Sequence, residues 1–149
     1  MPNDTAAPEP TLLLDQQLCF ALHSASLAMT RVYQPQLEAL GLTYPQYLVM
    51  LVLWERDGLS VSELGARLFL DSGTLTPLLK RLEAASLLDR SRDRADERRV
   101  VIRLTDAGRQ LKARAASVPG CVLAATQCSL DQITELTRQL KQLRERLAA

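Results

Sequence analysis

Aromatic residues are scarce in this 149-residue chain, at 4% of the total, and there is a single histidine. Three cysteines, Cys19, Cys121 and Cys128, make an odd and scattered set. That excludes the dense disulfide framework of small secreted domains. One histidine and three dispersed thiols supply no cluster with metal-ligand spacing, so no metal or other cofactor is expected. No apolar run approaches the roughly 18 residues that span a bilayer. The first ten residues are polar and proline-rich and lack the basic start of a secretory leader, which points to a cytoplasmic protein. Internal repeats and low-complexity segments are also missing. What is abundant is leucine and alanine within a hydrophobic fraction of 47%, a composition for packed helices.

The formal net charge is only +1, but it is unevenly spread. Residues 1–79 hold 3 basic and 8 acidic side chains, whereas residues 80–114 hold 11 basic and 6 acidic. A basic middle in a neutral chain fits a face made for phosphates, and by charge alone it fits a solvated surface equally well.

Leu14, Leu18, Leu22, Ala25, Met29 and Val32 recur at helical steps, predicting one long helix over about 12–34 that Pro35 ends. Residues 1–11 read as a disordered tail. Thr43-Tyr44-Pro45-Gln46 is a capping box that opens a helix to about Arg56, apolar nearly all round and expected at the centre of the fold. A second box, Ser60 to Glu63, opens a short helix to about Phe69. Asp71-Ser72-Gly73 then begins a helix to Ala85 with Leu75, Leu78, Leu79 and Leu82 facing inward. Two short helices joined by a tight turn form a helix-turn-helix. Leu87–Ser91 and Val100–Leu104 flank a charged loop and predict a β-hairpin, the wing. Thr105 caps the next helix, which Pro119-Gly120 should interrupt. A third box, Ser129 to Gln132, starts a last helix striped by Ile133, Leu136, Leu140, Leu143 and Leu147.

The fold class expected is therefore mainly α with a small β-hairpin wing. A DNA-binding core over about 37–105 is flanked by helices over about 12–34 and 106–149 within one domain, 12–149. The flanking stripes lie outside the compact core, and pairing across a two-fold axis would bury them, so a homodimer is expected.

This element order resembles the MarR-type repressors. Asp96 to Gly108, with its D-x-R and L-T-x-x-G, is similar to that family's wing. Leu14–Leu22, Leu42–Leu51 and Leu75–Leu82 are similar to the organic hydroperoxide resistance regulators. The resemblance covers about residues 12–149. It implies a repressor that leaves double-stranded operator DNA when an organic hydroperoxide oxidises it. The family's peroxide-sensing thiol falls at Cys19, and the two tyrosines whose hydroxyls donate to its thiolate fall at Tyr33 and Tyr44. Tyr33 is fourteen residues along the same helix from Cys19, about 21 Å at 1.5 Å per residue. The donors must then come from the second subunit. His23, four residues from Cys19, reads as a polar helix residue or a pocket member. Where relatives carry a resolving cysteine this chain has Ala124, leaving Cys121 or Cys128 as partner, with Cys121 favoured, or a small-thiol cap.

For DNA, the resemblance and the helix-turn-helix pattern together nominate Ser72, Thr74, Thr76, Pro77, Lys80 and Arg81 on the recognition helix. Asp96 resembles the residue that orients Arg98 into a minor groove, with Arg92, Arg94 and Arg99 as phosphate contacts. Two rival readings stand beside this one. The first is a repressor of the same fold answering to a phenolic effector. The second is a thiol peroxidase, which would need a cationic group near Cys19 that the local sequence does not provide.

Overall fold

The structure, a computed structural model, describes residues 12–149; the expected tail at 1–11 lies outside the described residues. The order is a single 3-10 turn (Leu14–Gln16), α1 (Leu18–Glu38), α2 (Tyr44–Glu55), β1 (Leu59–Ser60), α3 (Val61–Leu68), α4 (Ser72–Ala84), β2 (Leu88–Arg92), β3 (Val100–Leu104), α5 (Asp106–Ala115), α6 (Val118–Thr126) and α7 (Leu130–Ala148). The three strands form one antiparallel sheet in the order β1-β3-β2, with Leu88 opposite Leu104 and Leu59 opposite Ile102. Helix-turn-helix and wing are therefore as the sequence predicts.

Each boundary has a local cause. Thr43 accepts from the Gln46 N–H while the Gln46 side chain accepts from the Thr43 N–H, and Ser129 and Gln132 make the same reciprocal pair. At Ser60 only half of the expected box forms. Its hydroxyl accepts from the Glu63 N–H, but the Glu63 carboxylate turns away to Arg99. Pro35 does not end α1. It lies inside the helix, where its missing N–H forfeits one bond to the carbonyl four residues back, and the helix nevertheless runs on to bury Leu37 at 1% exposure. Termination comes at Gly41 (φ +71°), with the Leu42 N–H donating to the Leu37 carbonyl. The break expected near Pro119 falls earlier, at Ala116–Ser117, and Pro119 occupies the first turn of α6.

The core centres on α2. Val49, Met50 and Leu53 meet Leu64 of α3, Leu75, Leu79 and Leu82 of α4, and Leu88 and Ile102 of the sheet, all essentially without solvent contact. Trp54 donates from Nε1 to the Gly108 carbonyl at 2.9 Å, tying α2 to α5. Gly108 is required there, because a Cβ would lie 2.1 Å from the Leu87 carbonyl oxygen. Outside this core the picture changes. Leu37 is the only buried residue of α1, and α7 has none. Among the described residues no helix is long and apolar enough to cross a membrane.

Candidate nucleic-acid interface and thiol site

The recognition helix begins at an Asp71 N-cap, whose carboxylate accepts from the Thr74 N–H at 2.7 Å. That bond holds the Asp71 carboxyl below its ordinary value. With Leu75, Leu79 and Leu82 turned inward, the helical period places Ser72, Gly73, Thr74, Pro77, Lys80 and Arg81 in solvent, with Thr76 half-buried. These six site residues of the sequence reading (Ser72, Thr74, Thr76, Pro77, Lys80 and Arg81) thus lie along the outer side of α4.

The wing stands beside this side of α4. A groove of about 630 Å³ runs between them, lined by Ser60, Glu63, Thr76, Arg90, Asp96 and Arg98 among others. Asp96 accepts from the Arg98 N–H at 3.1 Å, and its carboxylate lies 3.5 Å from Arg98 Nε. The Arg98 side chain is 95% exposed, an arginine aimed outward from the wing tip. Two of the arginines expected to meet phosphates are already engaged. Arg92 donates to the Glu97 carbonyl at 2.7 Å, bracing the wing loop, and Arg99 pairs with Glu63 and lies 3.7 Å from Asp93. Arg94 is exposed and keeps that role open. The Glu63–Arg99 pair and a second one, Glu83–Arg90, were not anticipated; Glu63 and Arg99 are 36 residues apart and carry no local signal.

Cys19 is exposed and lies in the first turn of α1, not in mid-helix as the stripe suggested, because the chain restarts after the 3-10 turn. The first turn of a helix presents N–H groups that have no intrahelical acceptor, and these favour a negative neighbour. Cys19 and Tyr33 share one continuous helix, so about 21 Å separates them. Tyr33 and Tyr44, by contrast, come together with ring centroids 4.9 Å apart, and the buried Tyr47 joins them at 5.7 Å from Tyr33. Burial raises the pKa of all three phenols, and the neighbouring rings raise those of Tyr33 and Tyr47 further, so each keeps its proton. Tyr47 was missed in the sequence, although its i+3 spacing from Tyr44 on α2 is the signal that finds it.

Cys121 is exposed on α6. Cys128 is half-buried beyond that helix, its thiol directed at the Thr126 carbonyl at 3.4 Å. Gln127 between them is left-handed (φ 56°), so the two cysteines do not share a helix face.

The family model for SarA/Rot transcriptional regulators matches residues 31–115, from the C-terminal part of α1 through the whole of α5. The chain belongs to this MarR-like family of transcriptional regulators. It is 55% identical over 136 residues to the HTH-type transcriptional regulator TtmR of Methylorubrum extorquens (strain PA1), covering 91% of this chain and 70% of that protein. It is 46% identical over 134 residues to the organic hydroperoxide resistance transcriptional regulator of Bacillus subtilis (strain 168), covering 90% and 91%. Among solved structures, reduced AbfR bound to DNA matches with a TM-score of 0.75 and 34% identity over 91% of this chain and 95% of that one. For a member of this family of transcriptional regulators, the winged helix-turn-helix is the expected reading head, and the thiol peroxidase reading falls away.

Proposed function

We propose that this regulator is a cytoplasmic homodimeric repressor that reads operator DNA with α4 and the wing, and that releases it when an organic hydroperoxide oxidises Cys19. One observation carries the reading. An exposed thiol in the first turn of α1 and a pair of proton-holding phenols sit at two ends of a 21 Å helical span that is lined by unburied leucines. Among the described residues neither Tyr33 nor Tyr44 has a hydrogen-bond partner for its O–H. A second copy packed on the exposed face of α1 would bring its tyrosines to this chain's Cys19 and bury Leu18, Met29 and Val32 at the same time. The Bacillus relative's name, an organic hydroperoxide resistance regulator, supports the choice of oxidant.

The chemistry balances simply. The Cys19 thiolate attacks the outer peroxide oxygen, the O–O bond breaks, and the alkoxide takes a proton and leaves as an alcohol, giving a sulfenic acid. A second thiol then condenses with it and water leaves. Cys121 of the other subunit suits that step better than Cys128, being exposed and not turned toward a carbonyl. Arg98 enters a minor groove, the outer side of α4 meets base edges and phosphates, and Arg94 meets phosphate.

The test is operator binding by wild type and Cys19→Ser, before and after stoichiometric cumene hydroperoxide. Wild type should bind when reduced and lose the duplex when oxidised, while Cys19→Ser should stay bound. A specific observation favours one other reading, a phenolic effector. An apolar cavity of about 330 Å³ is lined by Tyr47, Leu51, Trp54, Ala115 and Pro119. In that case Cys19→Ser would bind DNA normally and release it with a phenolic acid, and peroxide would have no effect on either protein.

A further inference from the structure

Besides Asp71, which caps α4, and Asp96, which braces Arg98, two further carboxylates stand on or next to a surface proposed to meet DNA. Glu63 on α3 lines the groove between the helix-turn-helix and the wing, and Glu83 on α4 is bonded to Arg90, which lines it too. Each is a negative charge near an approaching polyanion, and on electrostatic grounds each weakens binding. Half-exposed ion pairs of this kind add little to stability.

Their geometry gives them another role. Glu83, at the end of α4, accepts three bonds from one residue of β2: the Arg90 backbone N–H at 3.1 Å, its Nη2 at 3.2 Å and its Nε at 3.4 Å. Glu63, in the first turn of α3, pairs with Arg99, the residue just before β3. Arg99 is in turn built into the wing loop. Its carbonyl accepts from the Asp93 N–H and its own N–H donates to the Asp96 carbonyl. The hairpin is thus tied twice, one side to each helix of the helix-turn-helix, and the second tie ends on the loop that presents Arg98.

We propose that Glu63 and Glu83 are positioning residues for DNA recognition, fixing the wing relative to α4 so that Arg98 and the outer side of α4 meet the duplex together. This rests on the reading of that face given above. A wing held in advance loses less freedom on binding, and that gain accrues only on a duplex that both elements fit at once. Non-specific contacts to phosphate do not need the register. Removing either carboxylate should therefore lower specific affinity while leaving non-specific affinity equal or higher.

The experiment uses the reduced full chain and two duplexes of equal length, one enriched by wild type from a random pool and one scrambled. Glu63→Ala and Glu83→Ala should each bind the enriched duplex about tenfold more weakly and the scrambled duplex as tightly as wild type or more so. Tighter binding to both duplexes, or unchanged binding to the enriched one, overturns the proposal. Glu83→Gln keeps an acceptor for the Arg90 N–H without the charge, and guards against misfolding of the alanine variant. Its loss should be intermediate, and no loss overturns the proposal. In a cycle with Arg99→Ala, the double variant Glu63→Ala/Arg99→Ala should be no worse than Arg99→Ala alone; additive losses overturn the pairing. A wild-type chain that enriches no duplex overturns the reading of the face and this proposal with it, whereas enrichment by wild type with unimpaired variants overturns this proposal alone.

Discussion

The reading head and the flanking helices spend their leucines differently. In the head, Leu53, Leu64, Leu75, Leu79, Leu82 and Leu88 are all buried within one chain. In α7, Leu130, Leu136, Leu140 and Leu147 are 41–75% exposed, and no residue of that helix is buried. Within one chain this 19-residue helix is held by little more than the half-burial of Ile133 and Leu143 and the Arg144 guanidinium over the Phe69 ring. The contrast separates two situations: the leucines of the head are buried within one chain, whereas the apolar side of α7 is left for the second copy that the proposed homodimer would supply. It also separates two chemistries. In the proposed function, phosphate and base contacts fall to the head, and the thiol chemistry falls to the flank that the second copy would complete.

The contrast is tested most severely by charging the flank. Leu136→Arg with Leu140→Arg should give a monomer by sedimentation. Operator affinity should fall at least about a hundredfold, because two linked half-site contacts become one. The wild-type melting temperature should rise with protein concentration, and that of the double variant should not. A charged variant that remains dimeric would place the interface elsewhere.

A change of comparable chemistry in the head should act without regard to concentration. Leu75→Ala, at a fully buried site, should cost about 3 kcal/mol of unfolding free energy in urea. Gly108→Ala should cost a similar amount, since its Cβ would meet the Leu87 carbonyl and push α5 away from the sheet. Neither loss should be recovered by raising the protein concentration tenfold. Recovery would mean that the head, too, leans on the second copy.

How far the sequence carried follows the same division. Local signals were readable because they act within four residues: the boxes at Thr43 and Ser129, the Asp71 cap and the Thr105 cap all appear where the residue types put them. Pro35 misled, because its local preference was outweighed by burial of Leu37 two residues on. β1 has two residues, too few for any period, and exists only by pairing with β3 more than forty residues away. The helical stripe runs through Leu14 and Leu18 without a break, so it could not show the 3-10 turn that places Cys19 at a helix start. The outward placement of Ser72, Thr74, Pro77, Lys80 and Arg81 was legible because Leu75, Leu79 and Leu82 recur inward at helical spacing. The ties from Glu63 and Glu83 were not found, because each joins elements that become neighbours only once the fold has formed.

The smallest effect sharpens the comparison at the level of single carboxylates. Glu83 in the head and Glu135 in α7 are both held below their ordinary value, by hydrogen bonds from Arg90 and from Arg138 respectively. A carboxyl whose folded value is lowered adds stability at pH above its unfolded value, and that stability is lost as pH falls through the folded one. For both residues the loss therefore lies below about pH 4. What differs is what each bond joins. Glu135 and Arg138 are three residues apart on one helix, and protonation removes a local contact that the helix survives. Glu83 and Arg90 join α4 to β2, and the same protonation frees a wing strand from the recognition helix. The drop in melting temperature between pH 7 and pH 3.5 should therefore shrink in Glu83→Gln, which has no charge left to lose there, and shrink less in Glu135→Gln. Acidification should also release the selected duplex less abruptly from Glu83→Gln than from wild type, because the variant enters the titration with its wing already loosened. If Glu135→Gln flattens the melting profile as much as Glu83→Gln does, acid sensitivity does not distinguish head from flank, and the tie at Glu83 is no more than another surface pair.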